Sequence, residues 1–86
     1  MTSQLHTRLA LALGHARAGA WDQAHHIVQE HDEDRVANWI HAVVHRVEGD
    51  LGNARYWYAR CGGALREELS VQAELDEIAA ALERPT

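Results

Sequence analysis

Lysine is absent from this chain. All eight basic residues are Arg, against 13 Asp and Glu, for a net charge of −5. Phosphate backbones are held by clustered basic surface, so an acidic chain with scattered Arg is not read as a nucleic-acid binder. The same balance disfavours anionic membrane surfaces. Arg without Lys also reads as the signature of a GC-rich genome, which is a statement of composition and not of function.

Cysteine is nearly absent too. Cys61 stands alone, which excludes an intramolecular disulfide and any Cys₂ or Cys₄ zinc site within one chain. It reads as a small buried apolar residue. Pro85 is the single proline, so no internal proline interrupts a helix. No apolar run approaches the roughly 20 residues of a membrane span. The N-terminus lacks the charged-then-apolar pattern of a secretory signal, so the cytoplasm is the expected compartment. Phosphate-loop, Gly-x-Ser-x-Gly and His-Glu-x-x-His motifs are missing as well.

What is present is helical periodicity. At 86 residues with 47% apolar content, residues 1–86 make one domain with a thin core. Thr2 or Ser3 is placed to cap a first helix whose stripe is Leu5, Leu9, Ala12, Leu13 and Ala16. A short second helix turns Trp21, Ala24, Ile27 and Val28 inward. Asp32 or Asp34 caps a third helix with Val36, Ile40, Val43, Val44 and Val47 on one side. Helix four carries Ala54, Trp57, Tyr58 and Cys61 inward and stops at Gly62-Gly63. A last helix begins near Ser70, with Glu74, Asp76, Glu77 and Glu83 assigned to its outer side. Trp21, Trp39 and Trp57 are expected to be largely buried. No alternating pattern predicts a strand.

A shift of 30 residues superimposes Gly19 on Gly49, Ala24 on Ala54 and Val28 on Tyr58. Each unit is a long helix, a Gly turn and a short helix with a small residue near its start. That is a repeated αα-hairpin. The second unit, with Ala42, Gly49-Asp50, Ala54 and Tyr58, resembles the tetratricopeptide motif, although the period is shorter than that family's roughly 34 residues. The fold expected is therefore all-α: two tetratricopeptide-like hairpins plus a C-terminal capping helix, about five helices in all. Ala42 and Ala54 are expected at the contact of helices three and four. The segments Trp21–His25, Trp39–Asp50 and Asn53–Arg60 also resemble a family of small uncharacterised bacterial proteins. That resemblance implies a bacterial origin and brings no activity with it.

The sharpest chemical feature is His41 and His45, four apart on a helix, so that both imidazoles leave one face about a turn apart. Such a pair can hold a divalent metal such as zinc, with Glu48 and His25 as further ligands. The same residues can equally serve as hydrogen-bonding partners inside a helix interface, reaching Glu48, Asp50 or Tyr58. A second feature is Asn53, Tyr56 and Arg60 on the outer side of helix four, a candidate surface for a protein partner. The leading expectation is a non-enzymatic module that binds another protein or a second copy of itself, as a homodimer, without a cofactor. The alternative is metal binding through the His pair.

Overall fold

The computed structural model describes residues 4–83, and among these it contains five α-helices and no strand. They are α1 (Gln4–Arg17), α2 (Trp21–Val28), α3 (Arg35–Glu48), α4 (Leu51–Arg60) and α5 (Val71–Glu83). The expected all-α fold is thus the observed one. Thr2 and Ser3 lie outside the described residues. No helix among the described residues is long and apolar enough to cross a membrane.

Local chemistry sets the helix ends. Asp34 accepts the Ala37 amide at 2.9 Å, Asp50 accepts the Asn53 amide at 3.3 Å and Ser70 Oγ accepts the Ala73 amide at 3.1 Å. Each caps an otherwise orphaned donor in the first turn of α3, α4 or α5. The two hairpin turns are built alike. Gly19 and Gly49 sit at φ +80° and +85°, backbone that an L side chain resists. Ala20 N donates to His15 O and Asp50 N to His45 O, closing the same helix-ending motif twice, 30 residues apart. The repeat in the sequence is therefore a repeat in geometry.

Small residues then let the helices approach. Ala24 and Ala54, equivalent in the repeat, are both fully buried, as is Ala42. The main core joins α1, α2, α3 and α5 through Leu9, Leu13, Ile27, Ile40, Val43, Leu75 and Ile78. A second, smaller cluster of Ala42, Ala54, Tyr58 and Cys61 fills the seam between α3 and α4. Helix α5 lies across α1 and α3. Helices α2 and α4 both pack on α3 and do not meet each other.

Trp21, Trp39 and Trp57 pack against the two clusters with most of their surface covered, as expected. Two expectations need correction. Val47, in the last turn of α3, is 40% exposed rather than inward. Glu74, assigned to the outer side of α5, is 1% exposed. Its carboxylate is satisfied internally. Oε1 accepts from Arg46 at 2.7 Å, and Oε2 accepts from Trp39 Nε1 at 2.9 Å and from Tyr58 OH at 2.6 Å. Arg46 also donates to Leu69 O. Burial and the neighbouring Glu74 push the Tyr58 hydroxyl pKa above its ordinary value, so it stays a donor.

Candidate metal centre

The opposite face of α3 carries His41 and His45. Helix α2 packs on α3 and brings His25 to the same place. His25 Nε2 and His41 Nε2 are 3.0 Å apart. The His25 ring meets the other two edge to face, with centroids 4.7 Å from His41 and 5.3 Å from His45. His41 and His45 stack at 4.9 Å. One ring nitrogen from each residue lies within 4.8 Å of the other two. From helix α4, Trp57 lies flat against His41, with centroids 3.9 Å apart and planes 15° from parallel.

The electrostatics favour a neutral His41. His41 is 5% exposed, and its pKa is lowered from 6.5 to about 4, first by burial and then by the proximity of His25 and His45. A neutral imidazole keeps a lone pair for a cation. The 3.0 Å contact between two Nε2 atoms needs one ring to donate and the other to accept. His41 Nδ1 is buried without a hydrogen-bond partner. The cluster is therefore not saturated by the protein itself, unlike the Glu74 centre.

Glu48 has a different place from the one expected. It does not join the three-residue group; its Oε1 instead lies 2.9 Å from His45 Nδ1. A carboxylate on the far nitrogen fixes the tautomer of a metal-binding histidine and leaves Nε2 with the lone pair. Of the four residues expected as ligands, three thus come together and the fourth, Glu48, is hydrogen-bonded to one of them. Imidazole nitrogens suit zinc, copper, nickel and iron. For a tetrahedral metal with bonds of about 2.05 Å the nitrogens would stand roughly 3.3 Å apart, so the His25–His41 separation is near that distance.

The second expected site is more dispersed in its chemistry. Asn53 spends its amide on Asp50 Oδ2 at 2.8 Å, within the α4 cap. Those bonds from Asn53 hold the Asp50 pKa below the usual carboxylate value. Arg60 donates to Asp32 O at 2.9 Å and lies over the rings of Trp57 and Tyr56. Tyr56 is 54% exposed and is edge-on to Trp57. Cys61, buried, donates through Sγ to Tyr58 O at 3.3 Å, and its burial raises the thiol pKa. The role of Trp57 as a flat wall on His41 has no sequence signal, since the two are 16 residues apart and on different helices.

No protein-family model, curated protein or solved structure matches the chain.

Proposed function

We propose that this protein binds a divalent transition metal, zinc in the first instance, through His25, His41 and His45. The observation that carries the reading is the convergence of three imidazoles from two helices, each offering a nitrogen within 4.8 Å of the others. Support comes from the Glu48 carboxylate on the far nitrogen of His45 and from the lowered pKa of His41. Untagged protein, stripped with chelator and titrated with zinc, is expected to take up one metal per chain. Melting temperature should rise with zinc and fall back on chelation, because a ligand of the native state stabilises it by about 2.7 kcal/mol at 100 times Kd. His41→Ala should abolish the rise. Absence of stoichiometric binding in the unaltered chain would overturn the reading.

An interaction surface for another protein or for a second copy is a compatible second reading. It is favoured by Tyr56, the exposed aromatic that Arg60 borders, and by Leu11, 51% exposed on the far side in α1. Sedimentation equilibrium tests the homodimer form of it: a single species at the 9.6 kDa chain mass would count against self-association.

A further inference from the structure

A tetrahedral metal held by this cluster would need one ligand beyond its three imidazoles. Among the described residues, no Cys, Asp, Glu or fourth His joins His25, His41 and His45. The neighbouring acidic groups are committed elsewhere. Glu48 is on His45 Nδ1, and Asp50 caps α4 and holds the Asn53 amide. Cys61 lies in the seam cluster with Ala42, Ala54 and Tyr58, bonded to Tyr58 O.

Access is set by which rings are covered. The cluster sits on α3, with His25 reaching it from α2 and Trp57 from α4. His41 forms the closed floor, covered by Trp57. His25 is half-buried and the His45 side chain keeps 12% of its surface open. His25 and His45 are therefore the members of the cluster that solvent reaches. Electrostatics then select the ligand. Three neutral imidazoles leave the two positive charges of a divalent ion uncompensated in the coordination shell. A centre with three protein ligands characteristically completes its shell from solvent or substrate, whereas a purely structural centre closes it with a fourth side chain.

Building on the metal reading above, we infer that the centre keeps one exchangeable coordination position on the side where solvent reaches His25 and His45. That position takes water or a small anion. This makes the site a binding site for a small anionic ligand and not only a staple between α2 and α3.

Cobalt(II) in place of zinc, in the unaltered chain, tests this directly, because its visible absorption reports coordination number and ligand type. The protein is expected to take up one Co(II) with a visible spectrum of tetrahedral character. Azide, titrated in at constant ionic strength, should shift and change the intensity of those bands saturably, with one anion per metal. Chloride at matched concentration should act more weakly. Co(II) bound with a visible spectrum that azide leaves unchanged would show a closed shell, and would overturn this inference while leaving metal binding intact. Failure of Co(II) and zinc alike to bind would overturn both.

Discussion

Helix α3 has two polar centres on opposite faces, and they are finished differently. Trp39 and Arg46, seven residues apart, point to one side; His41 and His45, four apart, point to the other. On the first side Glu74 receives three donors, from Arg46, Trp39 and Tyr58, and is enclosed. On the second side one nitrogen of His41 is buried with no partner, and two Nε2 atoms share a single contact. A buried polar group that the protein satisfies in full fixes the packing of its own elements. The His cluster is not saturated by the protein itself, and a cation on the Nε2 atoms would replace their shared contact while leaving His41 Nδ1 as it is. The Glu74 centre holds α5 and α4 on α3, and the His centre is the one we propose for a metal.

The largest effect expected is at the saturated centre. Glu74→Ala would strand the Arg46 guanidinium, whose side chain is 12% exposed, and leave Trp39 and Tyr58 without their acceptor. Removing one partner of a buried pair costs about 3–5 kcal/mol. Against a total of roughly 5–15 kcal/mol for an ordinary domain, that shift is read easily as a fall in the urea midpoint. His41→Leu, in metal-free buffer, should cost far less, because an apolar replacement removes an unsatisfied group along with its poor bonds. Equal losses from the two variants would erase the distinction between the centres.

Next in size is a pH effect confined to the His side. His41 is held at about 4 in the folded chain, against 6.5 unperturbed. Between those values the unfolded chain binds a proton that the folded chain does not, so stability rises with pH across the interval. The contribution is fully present above pH 6.5 and is lost as pH falls through about 4. At about 1.36 kcal/mol per pH unit it amounts to roughly 3 kcal/mol at most. Denaturation midpoints of chelator-treated protein between those limits should show the slope, and His41→Leu should flatten it. An unchanged slope in His41→Leu would place the proton uptake on other groups.

The fold was more legible than either centre, for physical reasons. Helix boundaries depend on groups close in sequence: Asp34 on Ala37, Ser70 on Ala73, and a glycine at each hairpin turn. The pairing of Ala24 with Ala54 follows from the 30-residue shift, and both are buried as the repeat requires. The Glu74 centre depends on partners 16, 28 and 35 residues away, so a helical wheel of α5 could only class a carboxylate with the solvent side. The bulk of the tryptophans told their burial, but not their polar partners: the Trp39 indole N–H donates to Glu74 and Trp57 has Arg60 over its ring. In the His centre, spacing on one helix identified His41 and His45. The arrival of His25 depends on how closely α2 packs, and the Trp57 wall depends on α4. Glu48 was assigned to the correct neighbourhood, since three-residue spacing brings it to His45, but that spacing does not show which nitrogen it meets.

The smallest effect isolates that last point. Glu48 is 47% exposed and its one assigned partner is His45 Nδ1, so Glu48→Gln should leave the fold and its urea midpoint within about 0.5 kcal/mol of the original. If Glu48 orients His45 and makes it a stronger donor, the variant should still take up one zinc per chain, with affinity lowered by about 10–100-fold. If Glu48 were itself a ligand, its loss would resemble His25→Ala, with stoichiometric binding abolished. If it were a surface pair only, affinity would not change, since exposed ion pairs contribute about 0–1 kcal/mol to stability and nothing to a metal they do not touch. Competitive zinc titration of the original chain, Glu48→Gln and His25→Ala therefore separates three positions for one carboxylate. The intermediate outcome is the one the 2.9 Å contact to Nδ1 predicts.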